Sequence, residues 1–101
     1  MARRPIDLMK PVEHEIAGEK AFSLGRVGAR LDERLRELEA LAAAVARAAT
    51  PAERAACLAA HEACRCKALD DYYALTLQRE AMGIKHHEML AAIYPIPPKL
   101  K

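Results

Sequence analysis

A heptad repeat between Ala17 and Ala49 is the feature that most limits how this chain can fold. Apolar or small residues recur there at alternating steps of four and three positions, namely Ala17, Ala21, Leu24, Gly28, Leu31, Leu35, Leu38, Ala42, Val45 and Ala49. This spacing predicts one long helix with a continuous apolar seam. Because small residues alternate with large ones along the seam, a second helix can approach it closely.

A helix start signal follows the repeat directly, in the sequence Thr50-Pro51-Ala52-Glu53. Threonine and a glutamate three residues later form a capping box, and proline suits the first helical position. A second helix that starts almost where the first one ends must lie antiparallel to it. We therefore predict a helical hairpin with helices at residues 12–49 and 51–82, preceded by an extended arm at residues 1–10.

Two glycines, Gly25 and Gly28, interrupt the first predicted helix. Each costs up to ~1 kcal/mol relative to alanine in a helix interior. They are compatible either with a kink or with a continuous helix that is crossed closely by a neighbouring element. The sequence alone leaves both alternatives open.

The second predicted helix has two apolar seams. One contains Cys57, His61, Cys64, Ala68, Leu75 and Met82, and the other contains Ala55, Ala59, Cys66, Leu69, Tyr73 and Ile84. Two seams require two neighbouring helices, and the hairpin supplies only one. A second copy of the chain would supply the other, so we predict a homodimeric four-helix bundle, with a further helical protein as another candidate partner. The residues expected to carry association are Leu24, Leu31, Leu38, Leu58, Leu69 and Tyr73.

The core that one copy can build is small. The chain has 101 residues, with three tyrosines, one phenylalanine and no tryptophan to fill an interior. A domain of this size buries only roughly 60–70% of the surface that its unfolded chain exposes. Size and composition therefore favour self-association as a source of stability.

The C-terminal part of the sequence predicts the end of the second helix, a short third helix and an extended tail. Met82-Gly83-Ile84 has the pattern of a glycine helix end followed by an apolar residue that folds back. We predict a third helix at residues 85–94, which presents His86, Met89, Leu90 and Ile93 to the hairpin. The proline-rich residues 95–101 are expected to be an extended tail. The whole chain is thus predicted to be one all-α domain.

Charge and hydropathy exclude several classes of partner. The formal net charge is +2, and acidic and basic residues alternate along the helices, whereas a nucleic-acid interface would show a stripe of one sign. No stretch has the length and apolar character of a membrane span or a secretory signal, so we expect a cytoplasmic protein without a membrane partner. The charged residues Glu62, Arg65, Arg79 and Glu80 lie within the apolar arc of the second helix. They are expected to pair at an interface, with a ligand site as the alternative.

Two further motifs resemble a known group of proteins. The first contains Glu15, Glu19, Lys20, Ser23, Leu24, Gly25 and Arg26, and the second contains Gln78, Arg79, Glu80, Ala81 and Gly83. Together they resemble a family of short bacterial helical proteins of unknown function, over residues 5–98. The resemblance implies an all-helical fold and assigns no activity, cofactor or catalytic residue.

The strongest chemical signal is the group Cys57, His61 and Cys64 on one helical face. Either adjacent pair could chelate a soft metal, but Cys57 and Cys64 lie about 10.5 Å apart along the helix axis, too far for one ion to bind all three. Additional ligands would have to come from His14, His86, His87 or a second copy. Free cysteine is a common small core residue, so we favour packing and retain metal binding or redox sensing as the alternative.

Enzymatic signatures are absent from the sequence. No histidine follows a glutamate by three residues, which a di-iron helical bundle requires. Phosphate-binding loops and hydrolase elbows are also missing. We therefore predict a non-enzymatic structural or interaction module that binds no cofactor.

Overall fold

The protein is described by a computed structural model that covers residues 5–101, with side chains from residue 25 onward. Three helices follow one another in these residues: α1 (Pro5–Arg47), α2 (Pro51–Ala81) and α3 (Leu90–Ile93), and this part of the chain contains no β-strand. Helices α1 and α2 pack against each other as an antiparallel hairpin. The predicted all-α hairpin is therefore confirmed.

The connection between α1 and α2 has the predicted capping box. Thr50 is the N-cap of α2, and its Oγ1 accepts a hydrogen bond from the backbone N–H of Glu53 at 3.1 Å. The Glu53 carboxylate in turn accepts from the backbone N–H of Ala49 at 3.0 Å. Because these bonds satisfy backbone donors at the start of α2, a connection of only three residues is sufficient to reverse the chain.

The core lies between the two long helices. Leu31 and Leu38 of α1 are almost fully buried against the first seam of α2, in a cluster completed by Cys64, Ala68, Leu75 and Leu90. The described part of the heptad seam, from Gly28 to Val45, therefore packs inside one chain. A half-buried ion pair between Arg34 Nε and Asp71 Oδ2, 3.2 Å long, joins the helices beside this core.

Helix α1 passes through Gly25 and Gly28 without interruption. Gly28 is buried, and a Cβ atom built on it would lie 2.5 Å from the hydroxyl oxygen of Tyr94. The sequence left open a kink or a continuous helix that is crossed closely by a neighbouring element. The structure shows the continuous helix, and the crossing element is the C-terminal part of the same chain.

The start of α1 differs from the prediction. The helix begins at Pro5, seven residues before Val12, so residues 5–10 are helical instead of extended; residues 1–4 lie outside the described part. Pro5 is the first described residue of α1, and proline is tolerated in the first turn of a helix. The helix then continues through Pro11 at the cost of one backbone hydrogen bond. The other ends of α1 and α2 lie within two residues of the prediction.

Helix α2 ends in the predicted glycine stop. Gly83 has a φ of 88°, and the backbone N–H groups of Gly83 and Ile84 donate to the carbonyl oxygens of Glu80 and Arg79 at 2.9 Å each. This is the hydrogen-bond pattern of a Schellman motif, and only glycine adopts the left-handed conformation without strain. The chain leaves α2 at this point and turns back.

The predicted third helix at residues 85–94 is shortened to the four residues of α3. Arg79 explains the difference, since its Nη2 donates to the carbonyl oxygen of His86 at 2.7 Å and its Nε to Nδ1 of His87 at 3.3 Å. These bonds hold residues 86 and 87 outside a helical conformation. Leu90 is buried as expected, whereas Met89 and Ile93 are exposed.

Residues 82–101, which we call the C-terminal segment, run back along the hairpin. Arg65 Nε donates to the carbonyl oxygen of Pro97 at 2.8 Å, and Arg54 Nη2 donates to that of Lys101 at 2.7 Å. Leu90, Tyr94 and Ile96 pack against the core. The tail from Pro95 is non-helical, as predicted, and lies along both long helices.

The close approach at Gly28 yields a first prediction. Gly25→Ala meets no atom within 4 Å, so it should raise the free energy of unfolding by ~0.5–1 kcal/mol through better helix propensity. Gly28→Ala should instead lower it, because the new methyl group clashes with the Tyr94 hydroxyl. Urea unfolding followed by circular dichroism measures both.

The control is the same substitution in a Tyr94→Phe background. Removing the hydroxyl leaves the ring carbon Cζ 3.5 Å from the new Cβ, an ordinary contact. Gly28→Ala should then stabilise the protein as Gly25→Ala does. An equal effect in both backgrounds would contradict the assigned contact.

Candidate functional site

An apolar stripe on the outer face of α2 is the main surface feature of the described residues. Leu69, Tyr73 and Leu77 follow one another at steps of four and are 42%, 64% and 47% exposed. Side chains at this spacing lie next to each other on one side of a helix. We call these three residues the α2 stripe. Met89 and Ile93 of the C-terminal segment are exposed as well.

The predicted association residues separate into two groups. Leu31 and Leu38 are buried between α1 and α2 and are not accessible to a second copy in this conformation, and Leu58 is half-buried. Leu69 and Tyr73 are exposed. The side chain of Leu24 lies outside the described residues. Heptad position alone could not distinguish intramolecular contacts from intermolecular ones.

Leu77 is an exposed residue that the sequence reasoning missed. It lies four positions after Tyr73, so the helical spacing that identified Leu69 and Tyr73 also includes it. The interpretation instead extended the second seam to Ile84, which is half-buried after the glycine stop. The spacing that identifies Leu77 was present in the sequence, but the seam was continued from Tyr73 to Ile84 instead of to Leu77.

The two seams of α2 have different surroundings. The first packs on α1, with His61, Cys64, Ala68 and Leu75 buried. The C-terminal segment covers the adjoining face, where Tyr72, Tyr94 and Ile96 line a groove of about 200 Å³ that reaches Leu69. The second seam, from Ala55 to Tyr73, stays exposed. The C-terminal segment therefore fills part of the space for which a second neighbour was predicted.

The charged residues in the apolar arc of α2 pair with one another or with the C-terminal segment. Glu62 contacts Arg65 at 3.3 Å, and Arg65 also binds the tail. Glu80 lies 3.1 Å from Nε2 of His87, whose Nδ1 accepts from Arg79. These contacts give the four residues a structural role in holding the C-terminal segment.

Cys57, His61 and Cys64 do not converge on a common point. Cys57 is half-buried, whereas His61 and Cys64 are buried against α1. The Cys64 thiol donates to the backbone carbonyl of Arg34 at 3.6 Å. Within residues 25–101, no three His, Cys, Asp or Glu side chains are placed so that they could hold a metal ion.

Burial raises the pKa of the Cys64 thiol above its ordinary value of 9.0, and the negative charge of Glu37 adds to this effect. The thiolate is the form that binds metals and attacks electrophiles. A neutral, hydrogen-bonded thiol is suited to packing. The surroundings of Cys64 therefore agree with the structural interpretation of this group.

Comparisons with known proteins add no assignment. No protein-family model, curated protein or solved structure matches the chain. The resemblance to short bacterial helical proteins therefore stays a prediction. In the described part of the chain, neither long helix is apolar over a length that would cross a membrane.

Thiol accessibility gives a second prediction. Cys66 is exposed, Cys57 half-buried and Cys64 buried, so iodoacetamide should modify them in that order, with Cys64 modified only after unfolding. Peptide mass spectrometry over time measures each rate. In guanidinium the three rates should become similar. Rapid modification of native Cys64 would contradict the assigned burial and would support the redox-sensing alternative.

The raised pKa of Cys64 gives a third prediction. The folded state holds the thiol proton of Cys64 more tightly than the unfolded state does. The contribution of this thiol to the free energy of unfolding is therefore complete below pH 9.0 and is lost as the pH rises through the raised pKa of the folded state. Burial also raises the pKa of Tyr94 above its ordinary value of 10.0, so deprotonation of Tyr94 lowers the free energy of unfolding at still higher pH. Urea unfolding between neutral pH and pH 11 should show the decrease. Cys64→Ala should delay its onset, and Cys66→Ala should not.

Proposed function

We propose that this protein is a non-enzymatic helical module that binds a second copy of itself through the α2 stripe. The observation that carries the proposal is the exposure of Leu69, Tyr73 and Leu77 on one side of α2. Scattered apolar residues are normal on protein surfaces, but a row at helical spacing is typical of a helix that packs on another helix.

The small core supports this assignment. In the described residues, the buried hydrophobic side chains are Leu31, Leu38, Val45, Cys64, Ala68, Leu75 and Leu90, and two of these are as small as cysteine and alanine. A core of this size stabilises a domain only modestly. Further apolar burial at an interface between two copies would add directly to the stability of the folded chain.

The stripe suits a symmetric contact. In a twofold dimer each residue meets its counterpart by the same rotation, so a stripe centred on Tyr73 is complementary to itself when two α2 helices cross antiparallel. Leu69 would then pack on the partner's Leu77, and the two Tyr73 rings would meet at the centre. Small residues towards the start of the same seam, Ala59 and Cys66, allow close approach of the helices.

Placing a charge on the stripe tests the proposal. Tyr73→Glu should shift the protein from dimer to monomer, because two carboxylates would meet at the symmetry axis without partners. The dimer dissociation constant should rise by at least about 30-fold, which corresponds to ~2 kcal/mol for a central residue of an interface. Sedimentation equilibrium and native mass spectrometry measure the change.

Ala60→Glu is the matched control. Ala60 is also exposed on α2, and nine residues from Leu69 place it on the opposite side of the helix. This variant should remain dimeric with unchanged helicity. A monomeric wild-type chain at micromolar concentration would refute the proposal, as would a Tyr73→Glu variant that dimerises like the wild type.

A further inference from the structure

Three side chains fasten the C-terminal segment to the end of α2, and we call them the His87 latch: Arg79, Glu80 and His87. Arg79 Nε donates to Nδ1 of His87 at 3.3 Å, and Nε2 of the same ring lies 3.1 Å from Oε2 of Glu80. The guanidinium also donates through Nη2 to the backbone carbonyl oxygen of His86 at 2.7 Å. The latch therefore holds the point at which the chain turns back from α2.

The two partners of the His87 ring fix its protonation state. A guanidinium has only donors and keeps its charge, so the ring nitrogen that faces Arg79 must be unprotonated in order to accept. An ionised carboxylate has only acceptors, so the ring nitrogen that faces Glu80 must carry a proton and donate it. Rotating the ring by half a turn exchanges the two nitrogens and leaves the same requirement. His87 is thus neutral in the latched conformation.

A second proton on His87 is incompatible with the latch. An imidazolium donates from both nitrogens, so the hydrogen bond from Arg79 Nε would be replaced by two cationic N–H groups that point at each other. Glu80 attracts the new charge, but its side chain is 48% exposed, and solvent weakens such an attraction. The repulsion from Arg79 can be relieved only by separating the two side chains. Because the same guanidinium binds the carbonyl oxygen of His86, that movement loosens both residues.

The neighbouring charges of the C-terminal segment are directed elsewhere. His86 Nδ1 pairs with Oε1 of Glu88 at 3.5 Å, and both side chains are exposed to solvent. Lys85 is exposed as well. Solvent screens these groups, so the charges that decide the state of His87 from within α2 are those of Arg79 and Glu80.

Helix α1 adds positive charge at this end of the hairpin. Arg34 pairs with Asp71, so in antiparallel helices Arg26 lies about level with Arg79, each being eight residues away from that pair. Arg30 follows one turn further along α1. Both arginines are exposed, and their charges act on an imidazolium in the same direction as that of Arg79.

We propose that the His87 latch is an acid-sensitive switch, in which protonation of His87 releases Arg79 and lets residues 84–89 leave the end of α2. Histidine is the side chain that ordinarily gains its charge in mildly acidic solution. The rest of the C-terminal segment stays attached, because Leu90 is buried and Arg65 and Arg54 bind the tail. The switch depends on contacts within one chain, so it does not require self-association.

Nuclear magnetic resonance of the ¹⁵N-labelled full-length protein between about pH 8 and pH 5 tests the switch. At the higher pH, the ring of His87 should show an unprotonated Nδ1 and a protonated Nε2. On acidification, backbone signals of residues 84–89 should shift with the same midpoint as the ring. The backbone N–H of Leu90 donates to the carbonyl oxygen of His87 at 3.0 Å. Its protection against hydrogen exchange, corrected for the intrinsic effect of pH, should fall about five-fold, as expected for one net hydrogen bond.

Two neighbouring histidines provide a matched pair of variants. The side-chain oxygen of asparagine can accept from Arg79 as Nδ1 does, but asparagine does not titrate. His87→Asn should therefore remove the acid-induced shifts of residues 84–89. His86→Asn should leave them unchanged, because Arg79 binds residue 86 through its backbone carbonyl oxygen.

Several results would overturn the switch. Acid-induced shifts that persist in His87→Asn would refute it, as would a His87 ring that gains its second proton without moving the backbone signals, or one that stays neutral at the lowest pH of the titration. The backbone signal of Leu38, which is buried between α1 and α2, should not move. Movement of Leu38 with the same midpoint would assign the change to the whole fold and would contradict a local release.

Discussion

The structure depends on the contact between the heptad seam of α1 and the first seam of α2. Large side chains from α1, Leu31 and Leu38, form one buried cluster with the smaller Cys64 and Ala68 of α2, a combination of sizes that suits close packing of two helices. The Arg34 and Asp71 ion pair lies at the edge of this contact. Every other feature is arranged on the hairpin that results, because no described element besides α1 and α2 is long enough to bury a seam by itself.

The C-terminal segment modifies what the hairpin presents to its surroundings. The Schellman motif at Gly83 reverses the chain, Arg79 prevents the next residues from continuing as a helix, and Arg65 and Arg54 fix the tail through carbonyl oxygens. Arginine is well suited to this role because its guanidinium donates to several oxygens at once. The segment covers one face of α2 and leaves the α2 stripe exposed.

The exposed stripe and the buried residues of the first seam have separate roles. The stripe is available for assembly, whereas the thiol of Cys64 is neutral and hydrogen-bonded within the core. Burial thus has opposite consequences for two neighbours on one seam: it makes Cys64 a packing residue, and it leaves His61 Nδ1 without a partner among the described residues.

The sequence by itself determined the elements that rest on local interactions. The capping box at Thr50, the glycine stop at Gly83 and the heptad period from Ala17 to Ala49 involve residues within a few positions of each other, so their hydrogen bonds and faces can be predicted from spacing. They were sufficient for the hairpin, and helical spacing along α2 also identified Leu69 and Tyr73 of the stripe. The tertiary structure decided which seam is used within the chain, where the tail lies, why α3 is short and what surrounds His61. These depend on contacts between residues far apart in sequence, such as Arg65 with Pro97 and Gly28 with Tyr94, for which no local pattern exists.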